Sequence, residues 1–247
     1  MKREVFEIIE NTRLSEGIYR MKLKGACSEI KKPGQFVNIA LSGRYLRRPI
    51  SVCDADFGEE CGELVLIYKL LGEGTKQMAG LSTGKKLDLL CGLGNGFDTS
   101  LSGNTPLLIG GGVGIPPLYG LAKELIKEGK RPKAVLGYHG KEDIFYTEEF
   151  RAIGAEVLIA TEDGSQGKKG FVSEAIEGLY YDYFYTCGPE PMLKAVYAAT
   201  ETSGQLSFER RMGCGFGACM GCSCLTVTGF KRICKEGPVL FKEEIKW

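Results

Sequence analysis

Histidine is nearly absent from the sequence: His139 stands alone among 247 residues. A Ser-His-Asp or Cys-His catalytic unit therefore has little to build on, and a lone histidine is usually structural. Net charge is also scarce, since 32 Lys and Arg against 31 Asp and Glu leave +1. That balance is unlike a strongly basic nucleic-acid binder and offers no long-range pull toward an acidic membrane surface. No apolar run approaches the roughly 18 residues of a membrane span. The opening Met1-Lys2-Arg3-Glu4-Val5 leads into no apolar stretch of the kind a secretory signal carries. Internal repeats and low-complexity tracts are missing too. These absences point to a cytoplasmic protein that binds neither nucleic acid nor membrane.

Two residue types are abundant instead: 35 glycines and 10 cysteines. Cytoplasmic thiols stay reduced, so the cysteines need another reason than disulfides. Cys27, Cys53, Cys61, Cys91 and Cys187 are scattered, as small packing residues often are. Cys214, Cys219, Cys222, Cys224 and Cys234 fall together near the end of the chain.

The first hundred residues read as short strands broken by turns, among them 36–41 and 64–68, with no strong helical period. An all-β barrel or sandwich is expected there. The pattern changes near residue 102. Leu107-Leu108-Ile109 enters a glycine cluster, and Pro116 and Pro117 open a helix with apolar residues at 118, 121, 122, 125 and 126. Strands at 134–138, 157–160 and 183–186 alternate with helical stretches, which predicts a parallel α/β sheet. From about residue 206 the regular pattern stops. The fold class is therefore multidomain α+β. It comprises an antiparallel barrel over 1–101, an α/β parallel-sheet domain over 102–205, and a small cysteine module over 206–247.

The spacing Cys214-x4-Cys219-x2-Cys222, with Cys234 further along, matches the plant-type arrangement of a [2Fe–2S] cluster. Gly213, Gly215, Gly217 and Gly221 allow a backbone to wrap tightly around such a cluster. A zinc-stabilised binding module is the non-redox alternative, but zinc favours paired C-x2-C units and only one is present. Cys224 lies in a strand-like stretch and reads as a packed residue, although Cys222-x-Cys224 leaves it open as a ligand.

Gly110, Gly111, Gly112 and Gly114 lie between a strand and a helix. They do not fit G-x-G-x-x-G, yet the context suits a phosphate at a helix N-terminus; a tight loop alone is the other reading. No acidic residue follows at the end of the next strand to read a ribose 2′-hydroxyl, so NAD and NADP both stay open. Cys187-Gly188-Pro189 follows the last α/β strand, where ligands of such sheets lie. Arg48-Pro49-Ile50-Ser51 can bind a phosphate through Arg48. Read by itself that stretch is an exposed strand, and Gly72-Glu73-Gly74-Thr75 is a hairpin turn.

Taken in order, Arg48-Pro49-Ile50-Ser51, Gly74-Thr75, Gly110 to Gly114 and Cys187-Gly188-Pro189 resemble the ferredoxin–NADP reductase superfamily. With the appended Cys214 to Cys222 segment, and Cys234-Lys235-Glu236-Gly237-Pro238-Val239, the chain is similar over its whole length to one branch. That branch comprises the electron-transfer subunits of dihydroorotate dehydrogenase B. The resemblance implies FAD on Arg48, Pro49, Ile50, Ser51, Ile67, Tyr68, Lys69, Gly74 and Thr75, with Ser51 near the flavin ring. It implies NAD(H) as a diffusible substrate at Gly110, Gly111, Gly112, Gly114, Cys187, Gly188 and Pro189. It also implies a [2Fe–2S] cluster on Cys214, Cys219, Cys222 and Cys234. Ser51 and Cys187 are the catalytic candidates. Cys91-Gly92 stands before Leu93-Gly94-Asn95-Gly96-Phe97 where Gly-Pro is expected. The implied partner is an FMN-containing catalytic subunit that oxidises dihydroorotate in pyrimidine synthesis, two of each chain. The alternative is a flavin and Fe–S subunit of an NADH-dependent ferredoxin:NADP oxidoreductase or sulfide dehydrogenase. Nicotinamide moves two electrons, an Fe–S cluster one and a flavin either, so the flavin belongs between them.

Overall fold

Alternation of apolar side chains closes the N-terminal strands on themselves. The computed structural model describes residues 1–247. β1 (Lys2–Ser15), β2 (Ile18–Gly25), β3 (Phe36–Ile39), β4 (Arg48–Ala55) and β5 (Gly62–Lys69) come first. A short helix α1 (Glu73–Ala79) and β6 (Lys86–Leu93) follow. The strands form a closed antiparallel barrel in the order β1-β2-β5-β4-β3-β6. Every second residue points inward. Phe6 and Ile8, Met21 and Leu23, Val37 and Ile39, Leu64, Leu66 and Tyr68, and Leu87 and Leu89 share one buried cluster.

The helix α1 differs from the hairpin turn that Gly72 to Thr75 suggest. It is a single short stretch, so its period is invisible in the sequence. The Thr75 hydroxyl makes it, accepting the N–H groups of Leu71 (2.9 Å) and Gly72 (3.3 Å) that would otherwise be unsatisfied.

The α/β part contains β7 (Leu107–Gly111), α2 (Ile115–Lys127), β8 (Lys133–Tyr138), α3 (Thr147–Ala152), β9 (Glu156–Thr161) and β10 (Lys168–Lys169). It continues with α4 (Val172–Ala175), β11 (Phe184–Cys187), α5 (Glu190–Ala199) and β12 (Gly204–Ser207). These strands run parallel in the order β10-β9-β8-β7-β11-β12. The region after 206 is more regular than its sequence suggests. β13 (Ser223–Thr226) and β14 (Gly229–Arg232) form a hairpin, and β15 (Val239–Phe241) returns to pair antiparallel with β12. No helix is long and apolar enough to cross a membrane.

The barrel and the sheet meet through α2. Val65 and Ile67, on the outer face of β5, join Leu118, Leu121 and Leu125 of α2 in one cluster. That explains why 64–68 is apolar without alternation: both faces of β5 are covered. Gly120 permits the approach, because a Cβ there would stand 2.8 Å from the Cys53 carbonyl oxygen. Lys123 of α2 ties the same junction to Asp54 of β4 at 2.6 Å. Gly120→Val is therefore expected to destabilise the fold by about 1–3 kcal/mol through overpacking. The check is the urea midpoint at unchanged slope; a midpoint equal to that of the parent would contradict this packing.

Candidate functional site

β4 and β5 pair only over part of their length. The ladder runs from Ala55↔Leu64 to Val52↔Leu66 and then stops. Arg48 to Ser51 pair with β3 alone, and Ile67 to Lys69 with β2 alone. The strands part there and leave a slot whose walls are unpaired main-chain groups of Ile50, Ser51, Ile67, Tyr68 and Lys69. Pro49, which has no N–H to lose, sits at the parting. A heteroaromatic ring with donors and acceptors along its edge suits such walls. The Tyr68 side chain turns away from the slot. It is buried in the barrel and its hydroxyl donates to Asn11 Oδ1 at 3.0 Å, so the slot receives only its main chain.

Below the slot, Arg48 lies against Gly74, where any Cβ would collide with the guanidinium. One Arg48 nitrogen, Nη1, donates to the Leu46 carbonyl at 2.6 Å. Its remaining N–H groups are free to meet a phosphate beside the first turn of α1. Gly74, widely separated from Arg48 in sequence, is thus brought to it. The Thr75 hydroxyl is occupied by its own loop.

The sheet order reverses at β7, with β8 to one side and β11 to the other. A ligand crevice belongs at the carboxyl ends of those two strands. Gly112 there adopts φ +52° with open space around it. A Cβ on Gly114 would collide with the Cys187 carbonyl, and one on Gly188 would stand 2.5 Å from Met192 Cε. The glycine turn and Cys187-Gly188-Pro189 therefore approach at backbone level and form the two lips of one crevice. Burial pushes the Cys187 thiol up to about 12, with a hydrogen bond to Ser207 pulling the other way. Such a shift favours the neutral thiol over the thiolate.

The cysteine module wraps a third site. Cys214 Sγ accepts the N–H of Ala218 (3.2 Å) and Cys219 (3.4 Å), and Cys219 Sγ accepts that of Gly221 (3.5 Å). Cys222 Sγ accepts the N–H of Cys234 at 3.4 Å. The thiols fall in two touching pairs, Cys214 with Cys219 and Cys222 with Cys234. Burial opposes ionisation of Cys214, but the surrounding N–H groups outweigh it and lower its pKa. Burial and the neighbouring Cys222 raise that of Cys234. Two pairs of thiolates suit two tetrahedral metals bridged between them, so this donor set fits a [2Fe–2S] cluster. No three ligands gather closely enough for a single ion. Cys224, half-buried on β13, stays outside the pairs. Cys27, Cys53 and Cys91 are buried packing residues, whereas Cys61 departs from that expectation and is exposed.

Several residues that hold these sites together carry no local sequence signal. Asn38 of β3 donates to the Cys214 carbonyl at 3.3 Å and abuts Gly215, which has φ +78°. Asn95 donates to the Val239 carbonyl (2.7 Å) and Glu236 carbonyl (3.1 Å), bracketing the exit of the cysteine loop. Arg232 pairs with Glu236 and donates to the Gly217 carbonyl at 2.7 Å. Phe36 packs in one cluster with Cys222 and Cys234. Asn38 lies opposite Pro49 and Phe36 opposite Ser51 in the β3–β4 ladder. The cysteine loop thus bears on β3, the strand that pairs with β4 at the slot. On the other side, the glycine turn at 112–114 touches β5.

Comparison with known proteins finds relatives over the whole chain. Residues 209–246 match the family described as iron-sulfur cluster binding domain of dihydroorotate dehydrogenase B. Residues 108–198 match the oxidoreductase NAD-binding domain. The electron transfer subunit of dihydroorotate dehydrogenase B (NAD(+)) from Fusobacterium nucleatum is 42% identical over 260 residues, covering 100% of this chain and 99% of its own. That of Bacillus pumilus is 43% identical over 257 residues, covering 99% and 98%. Among solved structures, one of an NADH-dependent reduced ferredoxin-NADP oxidoreductase superposes with TM-score 0.86 at 28% identity, covering 98% of this chain and 90% of that one. A cytochrome P450 reductase from Amycolatopsis shares the fold, with TM-score 0.68 at 20% identity over 80% of this chain and 65% of its own.

Proposed function

Because the chain belongs to the electron-transfer subunits of NAD(+)-linked dihydroorotate dehydrogenase B, we propose how its residues divide that work. The subunit passes electrons between a catalytic partner and NAD(+) in pyrimidine synthesis, using a [2Fe–2S] cluster and FAD. The observation that carries the assignment is the order of the three sites: the glycine turn against β5, the slot between β5 and β4, and the cysteine loop against β3. Nicotinamide supplies or takes two electrons as hydride, the cluster one at a time, and the flavin either. Electron flow therefore needs the flavin in the middle, which is where the slot is.

In this reading the main chain of Ile50, Ser51, Ile67, Tyr68 and Lys69 orients the flavin ring, and the Ser51 hydroxyl faces it. Arg48, with Gly74 and Thr75, holds the pyrophosphate, while Pro49 keeps the strands apart. Gly110, Gly111, Gly112 and Gly114 take the nicotinamide dinucleotide phosphates. Gly188 and Pro189 shape the opposite lip, and Cys187 positions the nicotinamide as a neutral thiol. Cys214, Cys219, Cys222 and Cys234 ligate the irons, and their N–H···S bonds tune the potential. The functional limits are 1–101 for FAD, 102–205 for NAD(H) and 206–247 for the cluster, with β15 lent to the central sheet.

The partner in this proposal is an FMN-containing subunit, two of each chain, docking over the cluster. Phe216, Met220, Leu225, Val227 and Phe230 are all exposed around the cysteine module. Single exposed apolar residues are ordinary, but five on one small module mark an interaction surface. The test is reconstitution. Dihydroorotate oxidation by NAD(+) is expected only when an FMN-containing catalytic subunit is mixed with this chain. Oxidation by this chain alone would overturn the assignment, as would failure to copurify with such a subunit.

A further inference from the structure

β3 carries one polar side chain into an apolar neighbourhood. Phe36 and Leu93 belong to the cluster that includes Cys222 and Cys234, and Leu90 packs against it. Asn38 lies across the ladders from Leu90 on one side and Pro49 on the other, and is 1% exposed. Its Nδ2 donates to the Cys214 carbonyl at 3.3 Å. Its Oδ1 is buried and meets no donor. A buried acceptor left unpaired is destabilising, and a leucine of the same branched shape would not carry that cost. A polar group kept at such a position calls for a functional reason.

Three features hold this amide in place. The β3–β6 ladder slips by one residue between Phe36 and Asn38, the kind of bulge that re-aims a side chain. Arg47, the residue before β4, donates from Nη1 to the Asn38 carbonyl (3.1 Å) and the Asp88 carbonyl (3.2 Å), fastening β3 to β6. Gly215, at φ +78°, brings the cysteine loop so close that a Cβ there would stand 2.4 Å from Asn38 Nδ2. One line of hydrogen bonds thus runs from Arg47 to Asn38 to Cys214. It joins the start of the Arg48-Pro49-Ile50-Ser51 stretch to the first cysteine of the loop.

We infer that Asn38 is a positioning residue for electron transfer between flavin and cluster, its amide fixing the Cys214 side of the cluster against the strand pair that carries the flavin. This rests on the order of sites proposed above. The amide meets the Cys214 carbonyl and no sulfur. It therefore sets where the cluster lies and leaves its potential to the N–H groups of Ala218, Cys219 and Gly221, which donate to the Cys214 and Cys219 sulfurs. Hydride from NADH brings two electrons to the flavin. One passes to the cluster, and the other stays on the flavin until the first has left for the partner. Asn38 acts on the passage to the cluster and not on the hydride step.

The experiment mixes NADH rapidly with the full chain loaded with FAD and cluster, following flavin bleaching and cluster bleaching separately. A potential titration read by EPR of the reduced cluster gives its midpoint. In Asn38→Leu, FAD and iron content, the rate of flavin reduction and the cluster midpoint are expected at parent values. Transfer from flavin to cluster should fall roughly 10- to 100-fold, the range for outer-shell changes at metal sites. Asn38→Ser, too short to reach the carbonyl and too small to clash with Gly215, should show the same split and serves if the leucine form assembles no cluster. Transfer at the parent rate in a loaded variant overturns the inference. So does a midpoint shift that accounts for the whole fall, and so does loss of the cluster in both variants, which would make Asn38 structural only. A parent chain in which NADH reduces the flavin but never the cluster would instead overturn the order of sites.

Discussion

Cys219→Ser is expected to remove the [2Fe–2S] cluster and leave FAD in place. Cys219 is exposed, and its sulfur meets only the Gly221 N–H, its partner Cys214 and the cradle of Gly213. The substitution therefore costs little folding energy, within about 0.5 kcal/mol as for most surface positions. It deletes one of four thiolates, however, and a hydroxyl is a poor substitute for a soft ligand. Broad visible absorption should vanish while flavin bands persist. NADH should reduce the flavin at the parent rate. Electron transfer to or from the catalytic partner should fall more than about 100-fold, since even outer-shell changes at metal sites cost 10- to 100-fold. Cys224→Ser is the control and should keep the cluster. Iron and sulfide analysis with visible spectra checks both, and intact cluster in Cys219→Ser would show that the ligand set is wrong.

Arg48→Ala should act on the other cofactor. Arg48 presents a fork of donors above Gly74, and only its Nη1 is engaged, by the Leu46 and Arg47 carbonyls. Two charge-assisted hydrogen bonds to a pyrophosphate at about 1.5–3 kcal/mol each correspond to roughly 10²–10⁴-fold in FAD affinity. The barrel core does not include Arg48, so melting of the apoprotein should hardly change. Arg48→Lys should fall between, because it keeps the charge but loses the planar fork. Titration of apoprotein with FAD by fluorescence provides the measurement. Unaltered affinity in Arg48→Ala would place the pyrophosphate elsewhere.

The parts legible in the sequence are those whose signal is local. The C-x4-C-x2-C spacing, the proline-led helix after the glycine turn and the alternating strands all appear within a few residues of one another. What stayed hidden depends on tertiary neighbours. Ile67, Tyr68 and Lys69 read as one lining strand. The Tyr68 side chain nevertheless belongs to the barrel, because alternation is masked where α2 covers the outer face of β5. The helix α1 is too short to show a period, and β15 pairs with β12 beyond a turn at Pro238 that Asn95 and Gly94 contact. Asn38 and Cys214 are 176 residues apart.

Electrons from dihydroorotate should cross this chain in one order: partner, cluster, flavin, nicotinamide. Rapid mixing of dihydroorotate with the reconstituted complex, without NAD(+), tests it most directly. In the parent complex the FAD of this subunit should be reduced. In the Cys219→Ser complex it should stay oxidised although NADH still reduces it from the other side. Reduction of that FAD by dihydroorotate at the parent rate in Cys219→Ser would contradict the account.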